Sequence, residues 1–197
     1  MIIVLHWMLY VVLSGEFILC AGDCMNFDSR IRKIPDYPKK GILFYDITTL
    51  LKDGRAFKMV VDKLEKRYED REVDVVVGIE SRGYMLGGAL ADRLVAGFVP
   101  VRKQGKLPAE TIRVTYTKEY GDDALEIHKD AIGPGQKVLI VDDLLATGGT
   151  IAATVDLVEK LGGDIMGICF LIELTGLRGR DKVDSKYPIF SLIEYKE

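Results

Sequence analysis

Residues 138–150, VLIVDDLLATGGT, run from four aliphatic residues into two adjacent aspartates and then into a glycine-threonine segment. Few arrangements suit that order. The aliphatic run reads as a strand covered on both faces, the habit of parallel sheets flanked by helices. Asp142 and Asp143 then stand where the strand ends, and in open α/β sheets ligands bind beyond the carboxyl ends of strands.

The rest of the chain keeps the same rhythm. AFKMVVDKLEKRYED (56–70) carries Phe57, Val60, Val61, Leu64 and Tyr68 at helical spacing; VDVVVGI (73–79) is a β-branched strand; GYMLGGALADRLV (83–95) is helical again. GFVPV (97–101), KVLIVDD (137–143) and IMGICFLI (165–172) read as short, almost wholly apolar strands. The pattern is that of an α/β domain with a buried, mainly parallel, twisted sheet flanked by helices. Between two of the strands, RKQGKLPAETIRVTYTKEYGDDALEIH (102–128) opens with Arg102, Lys103 and Lys106 around a glycine and then alternates as Ile112, Val114 and Tyr116. That alternation predicts a hairpin or flap with LEIH as its far arm, and long excursions of this kind are usually functional.

Composition narrows the function classes. At 48% apolar, 29% charged and a net charge of -3, the 197 residues have the profile of a soluble globular protein with one good-sized core. A mildly acidic balance gives no electrostatic basis for nucleic acid as the main partner. Cys20, Cys24 and Cys169 are odd in number and lack CxxC spacing, so neither a disulfide framework nor a zinc site is expected, and a reducing cytoplasm fits best. Residues 1–24 differ in texture: they contain no Lys or Arg, and the apolar run Ile2–Leu13, broken by His6, stops short of the ~20 residues that span a bilayer. A signal peptide would have a positive n-region. These residues read as an apolar extension outside the domain or as an upstream start, with a membrane-surface or signal role and packing onto the domain or a partner as the alternatives. Residues 25–197 read as one domain, with no membrane association expected.

After the two aspartates a helix begins whose inner face is Ile151, Val155, Val158 and Leu161, closed by Gly162 and Gly163. Its first turn, Ala146, Thr147, Gly148, Gly149 and Thr150, offers free backbone N–H groups, two hydroxyls and the positive end of a helix dipole, a cradle suited to a phosphate. The carboxylates one turn away would repel phosphate but accept from sugar hydroxyls, so the stretch fits a ribose 5-phosphate. Two other readings are a helix-capping Asp-Asp pair before a plain turn and an acidic Mg²⁺ pocket of the Walker B type, although no Walker A glycine-lysine motif occurs.

VLIVDDLLATGGT resembles the signature of the type I phosphoribosyltransferases, which bind phosphoribosyl pyrophosphate (PRPP). IPDYPKKGILFYDITTLLKD (34–53), GIESRGYMLGGALA (78–91), RKQGKLPAETIRVTYTKEYGDDALEIHKDAI (102–132) and LIELTGLRGRDKV (171–183) are similar to the adenine-specific branch of that family, and the likeness covers essentially all of 27–197. It implies a type I phosphoribosyltransferase fold with a small hood and a flexible flap, in a cytoplasmic homodimer. It also implies transfer of the 5-phosphoribosyl group from PRPP to adenine, giving AMP and pyrophosphate in purine salvage, with Mg²⁺ carried by PRPP or pyrophosphate and not by direct protein ligands.

Residue by residue, the resemblance implies that Asp142 and Asp143 hold the ribose 2- and 3-hydroxyls and that Ala146, Thr147, Gly148, Gly149 and Thr150 hold the 5-phosphate. Glu80, Ser81 and Arg82 would hold the pyrophosphate, a task suited to arginine's bidentate fork, with added charge from Arg102, Lys103 and Lys106. Phe44 would stack on the purine, Leu43 would offer backbone groups to its edge, and Leu174 would close the opposite face. Glu119 would descend with the flap as acid or base near the ring, with Tyr120 beside it. The family usually carries arginine directly after the stacking aromatic. Here that position is Tyr45, which supplies no fixed cation, so a different turnover or dimer geometry is expected.

In the chemistry this implies, a purine nitrogen attacks C1 of PRPP through an oxocarbenium-like transition state, with no covalent enzyme nucleophile, and flap closure excludes water. The rival from another class is a repressor that keeps the fold as a PRPP sensor, which would need a basic DNA-binding module. A 6-oxopurine or orotate transferase is the alternative within the enzyme class.

Overall fold

The structure, a computed structural model, describes residues 25–118 and 121–196, without the side chains of 117–122. The apolar extension 1–24, Glu119 and Tyr120 therefore lie outside the described residues. In chain order the main elements are β1 (Arg32–Pro35), β2 (Leu43–Asp46), α1 (Thr48–Leu51), α2 (Gly54–Tyr68), β3 (Val75–Ile79), α3 (Gly83–Leu94) and β4 (Gly97–Lys103). They continue with β5 (Thr111–Lys118), β6 (Gly121–His128), β7 (Lys137–Leu145), α4 (Gly149–Lys160), β8 (Asp164–Leu174) and β9 (Ile189–Tyr195).

Seven strands form one sheet in the order β5-β6-β4-β3-β7-β8-β9. The run β4-β3-β7-β8-β9 is parallel, while β5 and β6 form an antiparallel hairpin that joins the sheet at Arg102 and Lys103 of β4. β3, between β4 and β7, is buried at every residue. Because successive side chains of a strand point to opposite faces, β7 feeds two cores. Leu139 and Val141 pack with Val60 and Leu64 of α2 and Leu86 and Leu90 of α3. Val138 and Ile140 pack with Ile151, Val155 and Val158 of α4 and with Leu125 and Ile127 of the hairpin. The mainly parallel sheet flanked by helices is thus the observed architecture.

Local chemistry explains where the helices begin. Asp53 accepts hydrogen bonds from the N–H groups of Arg55 and Ala56 at 3.1 and 3.2 Å, an N-cap that starts α2. The buried stripe of α2 is Ala56, Val60, Val61, Leu64 and Tyr68; Phe57, expected on it, is only half-buried because Ala56 occupies the position facing the sheet. β7 also runs further than expected. It continues through Leu145 because β8 runs alongside, pairing Leu144 with Ile172 and Leu145 with Glu173. Asp142 and Asp143 therefore lie within the strand, not at its end.

β1 and β2 form a separate two-stranded antiparallel ribbon, the small hood. Its anchor is Tyr45, 5% exposed and stacked on Tyr195 of β9 with ring centroids 4.2 Å apart. The residue that departs from the family pattern thus packs the hood onto the last strand.

Candidate active site

Two helix starts face the carboxyl ends of β3 and β7: α3 follows the loop Glu80–Arg82, whose Glu80–Ser81 peptide is cis, and α4 follows Ala146–Gly148. Neither helix has a side-chain cap at its N-terminus, so its first-turn N–H groups stay available to an anion. Gly148 takes φ +81°, a left-handed conformation that turns the chain from β7 into α4.

Gly83 lets α3 come close to β7. A β-carbon there would stand 2.7 Å from Asp142 Oδ1 and 3.0 Å from the Val141 carbonyl oxygen. The neighbouring Arg82 donates from Nε to Asp143 Oδ2 at 2.5 Å, and its guanidinium carbon lies 5.3 Å from the centre of the Phe44 ring. One corner, residues 82–83, therefore meets both carboxylates and the aromatic wall. Asp142 is buried and its Oδ1 accepts from the Asp143 N–H at 2.9 Å. Burial, and after it the adjacent Asp143 carboxylate, push the Asp142 carboxyl well above its ordinary 3.8, against the pull of the Asp143 N–H and Arg82.

Leu43, Phe44, Leu174 and Leu177 form the apolar walls of a cleft of about 460 Å³, whose other side is Tyr116 with Ala146, Thr147, Gly149 and Thr150. Tyr37 holds Phe44 from outside by an edge-to-face contact at 5.1 Å. Asp142 and residues 144–151 line an adjoining recess of about 80 Å³. The structure thus brings together Asp142, Asp143, Arg82, Leu43, Phe44, Leu174 and the 146–150 loop.

The basic loop joins this group through Glu80. Glu80 Oε2 accepts from Arg102 Nε and from the Lys103 N–H, each at 3.1 Å, while Arg102 Nη1 donates to the Lys106 carbonyl at 3.0 Å and the buried Glu126 accepts from the Gly105 N–H at 2.9 Å. Ser81, Lys103 and Lys106 are exposed beside it. Tyr116 was expected only as part of an alternating strand; its hydroxyl lies 3.2 Å from Thr150 Oγ1, tying the hairpin to the cradle. Leu177 and Ile42 also line the cleft; Leu177 ends a single 3-10 turn and Ile42 precedes β2, so no hydrophobic spacing marked either.

Chemically, the arrangement offers a phosphate-sized cradle, acceptors for hydroxyls, a cation bridging two loops, and a flat apolar slot. No group of three or more His, Cys, Asp and Glu side chains gathers as a metal cage among the described residues. Asp142 and Asp143 are too few hard oxygen donors for a dedicated Mg²⁺ cage, as fits an ion that takes its ligands from substrate and water.

Residues 47–196 match the model of the phosphoribosyl transferase domain family. The chain is 57% identical over 175 residues to adenine phosphoribosyltransferase of Acidobacterium capsulatum, covering 89% of this chain and 96% of that protein. Among solved structures, adenine phosphoribosyltransferase of Thermoanaerobacter pseudethanolicus superposes with a TM-score of 0.82 at 57% identity, over 85% of this chain and 97% of that one. The Saccharomyces cerevisiae enzyme, solved with an imino-altritol bisphosphate and adenine, superposes at 0.79 with 43% identity, over 84% and 95%.

Proposed function

The chain belongs to the adenine phosphoribosyltransferase family, and from that premise we propose how its cleft carries out the family's reaction. The reaction moves the 5-phosphoribosyl group from PRPP to adenine and yields AMP and pyrophosphate, a step of purine salvage. The observation that carries the residue assignment is the continuity of one cleft, from the Phe44–Leu174 slot to the Ala146–Thr150 cradle, with Asp142 in the recess beside it.

In this reading the 5-phosphate lies on the N–H groups of Ala146–Thr150, and Asp142 and Asp143 accept from the ribose hydroxyls. The purine lies between Phe44 and Leu174. Arg82 exchanges Asp143 for the departing pyrophosphate, helped by the Ser81 backbone, Arg102, Lys103 and Lys106. Because positive charge grows on the ribosyl ring while negative charge grows on the leaving oxygens, fixed charges at both ends lower the barrier without a covalent nucleophile. Glu119 and Tyr120, between β5 and β6, act beside the base, with Glu119 as its acid or base. Mg²⁺, carried by pyrophosphate and ribose oxygens and not by direct protein ligands, would supply further neutralisation of the pyrophosphate charge beside Arg82, Arg102, Lys103 and Lys106. Release of AMP from adenine, PRPP and Mg²⁺, resolved by chromatography, is the direct test; IMP or orotidylate as the sole product from mixed bases would replace the adenine assignment.

We also read the protein as a cytoplasmic homodimer. Met85, Val95 and Phe98, exposed apolar side chains on α3, just after it and on β4, support a partner surface there, and the buried free thiol of Cys169 suits a reducing compartment. Sedimentation at micromolar concentration should give twice the chain mass.

The Asp142 reading has an expected outcome of its own. A carboxyl whose pKa rises on folding contributes stability in full below its unfolded value, and that contribution is lost as pH climbs through the raised value. The loss sets in as pH rises above the unfolded value. Asp142→Asn keeps the acceptor for the Asp143 N–H without the charge. Its melting temperature should exceed that of the wild type at pH 7.5, with the gap narrowing toward pH 4, while PRPP affinity or turnover falls by about 1.5–3 kcal/mol. A variant that melts lower at pH 7.5 with unchanged kinetics would remove the assignment.

A further inference from the structure

Outside the cleft, one buried ionic cluster has no part in the chemistry described so far. Glu173, 3% exposed, receives both arms of the Arg180 guanidinium, Nε at 2.6 Å and Nη2 at 2.5 Å, and a third bond from Ser191 Oγ at 2.6 Å. Arg180 also donates from Nη1 to the Ile189 carbonyl at 3.0 Å. Burial alone would raise the Glu173 carboxyl, but the bonds from Arg180 and Ser191 outweigh it and hold the group ionised below its ordinary range. Arg178, two residues earlier, pairs with Asp181 in the open, with its side chain 79% exposed, and such a pair holds little. The bidentate pair on a buried carboxylate is the fixed one.

The residue before Arg180 touches the cradle. A β-carbon on Gly179 would collide with the Ala146 carbonyl oxygen and stand 3.1 Å from the Gly148 nitrogen, and one on Gly148 would collide with the Gly179 carbonyl. Two bare backbones thus lie against each other, one from the 146–148 loop and one from the turn that Arg180 anchors. The same turn carries Leu177 into the cleft, and Leu174, next to Glu173, lines it too.

We propose that Arg180 is a positioning residue for the phosphate cradle: clamped on Glu173, it holds Gly179 against Ala146 and Gly148 and so sets the shape of the loop that receives the 5-phosphate. The proposal rests on the reading of Ala146–Thr150 as the 5-phosphate loop. Loops whose shape is held from behind lose affinity when the support moves, and displacement by about 1 Å can cost up to ~10²-fold. The loss falls on ligands that carry the 5-phosphate. Inorganic pyrophosphate, held by the 80–82 and 102–106 segments, keeps its affinity.

The test is calorimetric titration of the full chain with AMP and, separately, with Mg²⁺-pyrophosphate. For Arg180→Met, AMP binding should weaken by about tenfold or more, with pyrophosphate within about twofold of wild type. Equal weakening of both ligands, or AMP affinity unchanged, overturns the proposal. Arg180→Met leaves Glu173 buried without its cation and can fail to fold. In that case Arg180→Lys decides: it keeps the charge but not the two-armed fit, so the same selective loss of AMP is expected, and wild-type AMP affinity overturns the proposal. Gly148→Ala, which drives a β-carbon into the Gly179 carbonyl and so displaces the N–H groups of the 146–150 loop, separates the two readings. If it leaves AMP affinity intact, the cradle assignment itself has failed; if it weakens AMP while the Arg180 variants do not, only the positioning role has.

Discussion

Adenine is expected to be preferred over hypoxanthine and guanine by at least ~10²-fold in kcat/KM. Stacking between Phe44 and Leu174 cannot choose among purines, because every purine offers a similar π-face. The choice must come from the edge of the ring, and the hood supplies a reason for an open acceptor there. Leu43 stands opposite Pro35 in the β1–β2 ribbon; Pro35 has no N–H, so this is a non-hydrogen-bonded pair, and the Leu43 carbonyl points away from β1. That carbonyl can accept from the 6-amino group of adenine, whereas the 6-oxo group of hypoxanthine would face it acceptor to acceptor and leave both unpaired. Sites built to bond one group can reject an analogue lacking it by about 10⁴-fold; the lower bound is set because a single backbone group carries the argument here. Competition between the bases at equal concentration, with AMP, IMP and GMP resolved by chromatography, measures the ratio. Comparable yields would mean that the Leu43 edge does not read the base.

Gly148→Ala should reduce kcat/KM for PRPP by about 10²-fold while the protein stays folded. The substitution places a β-carbon at φ +81°, where a side chain costs about 1–3 kcal/mol, and drives it into the Gly179 carbonyl, a backbone atom that cannot swing aside. The 146–150 loop must therefore shift, and its N–H groups leave the phosphate position. Gly135→Ala is the control. Gly135 has nearly the same φ, +77°, but nothing lies within 4 Å of its added carbon. It should lower the melting temperature through backbone strain and leave PRPP kinetics near wild type. Equal kinetic loss in both variants would point to general destabilisation and away from cradle geometry.

The elements legible in the sequence were those whose signal is local. Val75–Ile79 and Val138–Val141 had to be covered on both faces because they are β-branched and aliphatic throughout but for Gly78, and α2 declared itself by its apolar spacing. The glycine-threonine turn before Ile151 was legible as a candidate phosphate site from its own residues. β1 and β2 had no comparable signal of their own: β1 is mostly exposed, so neither face shows the alternation of a half-buried strand. β9, partly exposed along most of its length at the edge of the sheet, was equally quiet. The end of β7 was misplaced by two residues for a related reason. Its continuation through Leu145 depends on β8 lying beside it, which no local pattern encodes.

The sequence by itself therefore determined the alternation of strands and helices, the glycine-threonine loop at the start of α4, and the pair of carboxylates that precede it, because each follows from the chemistry of neighbouring residues. Only the tertiary structure decided which distant groups meet. Arg82 finds Asp143 across 61 positions and Tyr116 finds Thr150 across 34, and Gly148 comes to rest on Gly179. Those contacts come from strand order: β3 lies beside β7 and β8 runs on its other side, so the loops at their carboxyl ends share one cleft. Strand order is chosen by how the two cores close on both faces of the sheet, a property of the whole chain.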